Sequence, residues 1–175
     1  TNKIQEMKNK DMRDKIKRRE MNYRYNKKYD IIYSGNFSKW KGLETLIEAI
    51  SIIKNEYHRN INAVLIGSNE ETKNHYGDVA KKLKVFSSIK IVNRVEHKKI
   101  YDYISKSKIG VLSNNYDADG MLFTSPLKLY EYLGAGLKVV VSKLPSIESN
   151  IDESLVYYAL PENSKSFAQA IIKAL

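Results

Sequence analysis

The chain has 175 residues, no cysteine and three histidines, and its 30 Lys/Arg against 20 Asp/Glu give a net charge of +10. That length suits one domain with a sizeable core. The missing cysteines exclude disulfides and thiolate chemistry, and three histidines argue against a dedicated zinc site. No apolar run reaches the length of a membrane span and no signal peptide is visible, which sets the expectation of a cytoplasmic domain.

The charge is uneven. Residues 1–28 carry 11 Lys/Arg and 4 Asp/Glu, whereas residues 29–175 carry 19 and 16. The basicity belongs to a leading arm and not to a face of the fold, so nucleic acid is not an expected partner. Ile4, Met7, Met12, Ile16 and Met21 are loosely helical in spacing, and residues 1–28 read as a basic linker or helical arm ahead of a domain over 29–175.

From Tyr29 onward short apolar strands alternate with helices. Tyr29–Ser34 reads as a strand broken by Gly35, and the polar loop 36–42 leads into an amphipathic helix with Leu43, Leu46, Ile47, Ile50 and Ile53 on one face. Ile61–Ile66 reads as a strand ending at Gly67. A polar helix follows over Glu70–Lys84, then a strand over Ile89–Val92, a helix over His97–Lys106 and a strand over Ile109–Leu112. A long polar loop covers Ser113–Thr124. Ser125 and Pro126 then suit the start of a helix, along which Leu127, Tyr130 and Leu133 recur at helical spacing. Gly134 and Gly136 end it, and Leu137–Val141 reads as a buried strand. A helical turn at Pro145–Ser149, a strand over Leu155–Tyr158 and a helix over Ser164–Leu175 complete the chain. This alternation predicts an α/β, Rossmann-like parallel sheet with helices on both faces, and ligands in such sheets bind beyond the carboxyl ends of the strands.

Several residues fall on that edge. Gly35 lets the backbone approach a ligand closely, and Asn36 follows it in the same loop. Lys41 precedes a helix N-terminus, an unfavourable place for a cation unless an anion such as phosphate binds there; simple exposure in a turn is the alternative. Ser125 with the N–H groups of Leu127 and Lys128 forms a second candidate phosphate cradle, although ordinary helix capping explains the same residues. Glu131 sits on an otherwise apolar helix, where a half-buried carboxylate needs donors such as ribose hydroxyls or the ammonium of Lys128 or Lys41. Asn93-Arg94-Val95 follows a strand and suits a base edge and face. Asp117 and Asp119 flank Ala118 ahead of Gly120 in a D-x-D spacing, yet their place after these strands argues against a metal site.

Taken in order, Y-S-G-N-F-S-K-W-K-G-L-E-T-L-I-E-A, V-L-I-G-S, I-V-N-R-V-E-H-K-K-I-Y-D-Y-I, I-G-V-L-S-N and S-P-L-K-L-Y-E-Y-L-G-A-G-L-K-V-V-V-S resemble the donor-binding domain of the group 1, retaining glycosyltransferases, the C-terminal half of a GT-B fold. The resemblance covers residues 29–175. It implies that Gly35 and Lys41 line a diphosphate, that Asn93, Arg94 and Val95 lie at the nucleobase, that Leu127 and Lys128 offer N–H groups to phosphate and that Glu131 binds the ribose. It also places the loop Asp119–Thr124, with Gly120, at the donor sugar, and gives Lys41 and Glu131 the catalytic roles. It implies a nucleotide-diphosphate sugar as donor substrate, no cofactor and no metal, and a glycan or lipid-linked acceptor in polysaccharide or glycolipid synthesis. A separate N-terminal acceptor domain is implied too, without which the fragment is inactive, and peripheral contact with the inner face of the cell membrane is a further expectation. Two departures stand out: Phe123 replaces a second Glu eight residues before Glu131, and Asn36 replaces an Arg. They support, as alternatives, a non-catalytic glycosyltransferase-like scaffold; the arm supports a membrane- or nucleic-acid-binding module.

Overall fold

The computed structural model describes residues 7, 10–18, 27–117 and 127–175. Residues 10–18 are helical and exposed, with Met12 and Ile16 facing solvent. Ile4 and Met21 of the predicted arm lie outside the described residues.

Six strands form one sheet: β1 (Tyr29–Ser34), β2 (Ala63–Ser68), β3 (Ile89–Asn93), β4 (Ser107–Leu112), β5 (Lys138–Ser142) and β6 (Tyr157–Ala159). Their order is β3-β2-β1-β4-β5-β6, and every pairing is parallel. The connections are α1 (Leu43–Glu56), α2 (Glu70–Lys82), α3 (His97–Ser105), α4 (Leu127–Gly134) and α5 (Pro145–Glu148), and α6 (Ser164–Ala174) closes the chain. Because successive strands first run outward to β3 and then return past β1 to β4, the strand order reverses between β1 and β4. A crevice opens at such a switch point.

Alternating strand residues divide the core into two layers. Ile31, Tyr33, Ala63, Leu65, Ile109 and Val111 pack with the apolar stripe of α1 and with Phe167 and Ile171 of α6. Ile32, Val64, Ile66, Val139 and Val141 pack instead with Ile104 of α3, Leu129 and Tyr132 of α4 and Ile147 of α5. Helix α2 is polar, and its start is fixed by a reciprocal cap: Asn69 Oδ1 accepts from the Thr72 amide at 2.8 Å, and Thr72 Oγ1 accepts from the Asn69 amide at 3.0 Å.

Among the described residues the predicted elements are present, with corrections, the first being that β4 starts at Ser107, two residues before Ile109. Strand β2 starts two residues later than Ile61 and runs on through Gly67, with a register shift between Ile66 and Ser68. Gly67 permits this because its φ is 121° and a Cβ there would lie 1.9 Å from the Gly35 carbonyl oxygen. The buried face of α4 is Leu129 and Tyr132, one step away from the expected stripe, and Leu127 and Tyr130 are exposed. Gly134 is an ordinary helical residue, and only Gly136 has a positive φ. Leu155 belongs to a 3₁₀ turn over Glu153–Leu155, so β6 starts at Tyr157. Among the described residues no helix is long and apolar enough to cross a membrane.

The seat of α4 depends on Gly110 in β4. A Cβ there would fall 2.3 Å from Cδ2 of the fully buried Tyr132 ring. Gly110→Ala is therefore expected to lower unfolding stability by about 1–3 kcal/mol through overpacking, read as a reduced urea midpoint.

Candidate functional site

Gly35 follows β1 at the switch point, and its amide donates to the Ile66 carbonyl at 3.0 Å. The Tyr33 hydroxyl donates to the Asn36 carbonyl at 2.5 Å, and Asn36 Oδ1 accepts from the Ser38 hydroxyl at 2.9 Å, so the turn is held from both sides. Beyond it, a single 3₁₀ turn over Lys39–Lys41 leads to Gly42 and α1. This turn is strapped to the segment after β4. Ser113 Oγ donates to the Lys41 carbonyl at 2.8 Å, and the Asn115 amide donates to the Trp40 carbonyl at 2.8 Å.

The straps leave the Lys41 side chain free of them. Its Nζ lies 3.9 Å from the centre of the Trp40 ring. Lys41 is half-buried and has no carboxylate partner among the described residues. Burial lowers its pKa from the usual lysine value. A partly dehydrated ammonium of this kind gains from a nearby anion.

A crevice of about 730 Å³ opens beside this loop. It is lined by Gly35 and Asn36 after β1, Ser68 and Thr72 around the α2 cap, Arg94, Val95 and His97 between β3 and α3, and Lys128 on α4. Five of the residues proposed from sequence thus share one wall system, although they are as far apart as Gly35 and Lys128 in the chain. Lys41, Asn93, Leu127 and Glu131 do not line it. Asn93 turns its side chain to the protein: its Oδ1 accepts from Ser68 Oγ at 2.9 Å and its Nδ2 donates to Glu70 at 2.5 Å. It braces the crevice wall through both ends of its amide. Asp119, Gly120 and Ser125, with the departure at Phe123, lie outside the described residues.

Glu131 sits behind the crevice with only 14% of its side chain exposed. Its Oε2 accepts from Lys128 Nζ at 2.5 Å, and its Oε1 lies 3.3 Å from His97 Nε2. The expected partnership with Lys128 is present. Lys41 makes no ion pair with Glu131; its ammonium lies over the Trp40 ring. His97 was not among the residues singled out from sequence. As the first residue of a surface helix beside Glu96 and Lys98, it carries no pattern that marks it.

Tyr132, the neighbour of Glu131, was also missed. Its hydroxyl accepts from the Ser34 amide at 2.9 Å and lies 3.2 Å from Ser34 Oγ. Burial pushes its phenol up to about 12. Since an unfolded tyrosine titrates near 10, the stability that Tyr132 contributes is complete below pH ~10 and is lost as the pH rises towards 12.

The family described as "Glycosyl transferases group 1" matches residues 14–175. No curated protein matches the chain at the sequence level. Solved structures share its fold. A glycosyltransferase from Rickettsia africae superposes with a TM-score of 0.71 at 19% identity, over 92% of this chain and 41% of that one. The C-terminal domain of a group 1 family protein (LpcC) from Francisella tularensis gives 0.65 at 20% identity, over 83% and 74%. Anabaena HepE in complex with UDP-glucose gives 0.69 at 15% identity, over 89% and 41%. This chain therefore spans less than half the length of the Rickettsia and Anabaena proteins.

Tyr132→Phe leaves the buried Ser34 amide without its partner and is expected to cost about 1–3 kcal/mol at neutral pH. Above pH 10 the variant's stability is expected to fall less steeply than that of the native chain, as read by urea unfolding across the alkaline range.

Proposed function

The chain belongs to the group 1 glycosyl transferases, and on that premise we propose that it is the donor-binding half of an enzyme that transfers a sugar from a nucleotide diphosphate. The observation that carries this reading is the crevice at the β1/β4 switch, lined together by Gly35, Asn36, Arg94, Val95 and Lys128. Such a position suits a nucleotide, and this one has a loop backbone, cations and an apolar side chain within a single cleft.

In this reading the nucleobase lies against Val95, with Arg94 beside it, and the ribose hydroxyls donate to Glu131. The diphosphate lies across the Gly35 turn toward the start of α4. Lys128 supplies positive charge there, as does the α4 N-terminus, and Lys41 supplies it from the neighbouring loop. Transfer breaks the bond between the anomeric carbon and the diphosphate oxygen. The negative charge that develops on the leaving group is held by these cations, which is electrostatic stabilisation aimed at the transition state. The acceptor hydroxyl forms the new bond and gives up its proton to the departing diphosphate oxygen, with retention at the anomeric carbon. The same cations make a metal ion unnecessary in this scheme. Asn36 in place of an Arg leaves Lys41 to carry more of the diphosphate contact, and Phe123 in place of a Glu leaves the sugar contact to other residues.

The acceptor is a glycan or a lipid-linked glycan, bound by a further N-terminal domain, and transfer requires that domain. Work at the inner face of the cell membrane fits such an acceptor.

A panel of UDP, GDP, ADP and CMP tested by thermal shift is expected to yield one nucleoside diphosphate that raises the unfolding midpoint. Lys41→Ala and Glu131→Ala are each expected to weaken its binding about tenfold or more, the loss of one contact to a charged group. No stabilisation by any of them would favour a non-catalytic scaffold instead.

A further inference from the structure

The two oxygens of Glu131 are held by different parts of the fold. Lys128 lies three residues earlier on α4, so its ammonium follows the carboxylate through any rotation of that helix face. His97 is the first residue of α3, lines the crevice and reaches Glu131 from a different helix. Its ring is itself stacked on Tyr101, with centroids 5.2 Å apart and planes 21° from parallel. No other described side chain outside α4 lies within ion-pair distance of Glu131.

We propose that His97 is a positioning residue for Glu131: it fixes the carboxylate orientation that receives the ribose hydroxyls, and so makes ribose recognition depend on α3 as well as α4. The proposal rests on the reading of Glu131 as the ribose acceptor. His97 Nε2 lies 3.3 Å from Oε1, within ion-pair reach, and Lys128 donates to Oε2. Each carboxylate oxygen has two lone pairs, so one site on each remains for a hydroxyl of the ligand. Without the His97 contact only Lys128 holds the carboxylate, and a ribose must order the other oxygen on binding.

The test is calorimetric titration of the chain with UDP, GDP and ADP and with their 2′,3′-dideoxy forms, on native protein, Glu131→Gln, His97→Ala and His97→Gln. Glu131→Gln is expected to weaken the ribose form of the bound nucleotide about tenfold and leave the dideoxy form unchanged. His97→Ala is expected to weaken the ribose form about three- to tenfold with the dideoxy form again unchanged, and His97→Gln, whose amide reaches a similar point, to recover most of the loss. If Glu131→Gln discriminates between the two forms but His97→Ala weakens both equally, or weakens neither, the role of His97 is overturned while the ribose reading stands. If Glu131→Gln does not discriminate, or none of the three nucleotides binds, the ribose reading fails and the role of His97 fails with it.

Discussion

The site hangs on one buried hydrogen bond, from the Ser34 amide to the Tyr132 hydroxyl. The last β1–β4 pair joins Ile32 to Gly110, so beyond that point the β1 backbone loses its strand partner on the β4 side. A buried amide there needs another acceptor. Tyr132 supplies it from the opposite end of a ring that fits only because residue 110 has no Cβ. One side chain therefore pins α4 to the sheet just below the Gly35 turn. Since Glu131 precedes Tyr132 on the same helix, the bond that seats the helix also sets the carboxylate beside the crevice.

Around that pin the loops brace one another through backbone. Gly67 lies against the Gly35 carbonyl, and the Arg94 amide donates to the Ser68 carbonyl at 2.9 Å. Ser113 and Asn115 hold the turn that carries Lys41. These bonds fix the backbone of Arg94 and of the turn that carries Lys41, and neither charged end takes part in them. An ammonium or guanidinium held in this way needs little reorganisation when an anion arrives. Arg94 and Lys41 have no carboxylate partner among the described residues, whereas Lys128 is paired with Glu131.

Much of this was legible in the sequence. The parallel α/β sheet followed from the alternation of apolar runs with the helical stripe of Leu43, Leu46, Ile47, Ile50 and Ile53, because periodicity reports burial directly. Gly35, Arg94, Val95 and Lys128 were legible because each sits just past a strand or at a helix start, where topology delivers the ligand edge. The face that α4 buries was not legible. Leu127 and Tyr130 are as apolar as Leu129 and Tyr132, and only the packing of Tyr132 against Gly110 chooses between the two stripes. The bulge at Gly67 was hidden for a similar reason: a glycine after an apolar run signals a break as readily as a close approach. His97 was hidden because its significance is a contact between two helices 34 residues apart in the chain, which no local pattern encodes.

The most direct test of the account is where a nucleoside diphosphate touches the chain, read from backbone amide shifts of ¹⁵N-labelled protein titrated with UDP and with GDP. Binding in the crevice predicts that the perturbed amides cluster at residues 35–38, 67–69, 94–97 and 128–131. The opposite edge of the sheet offers a rival site, a cleft lined by Lys28, Lys90, Lys99 and Lys106. Shifts confined to those lysines would mean that charge alone attracts the nucleotide, and would contradict a donor site at the β1/β4 switch.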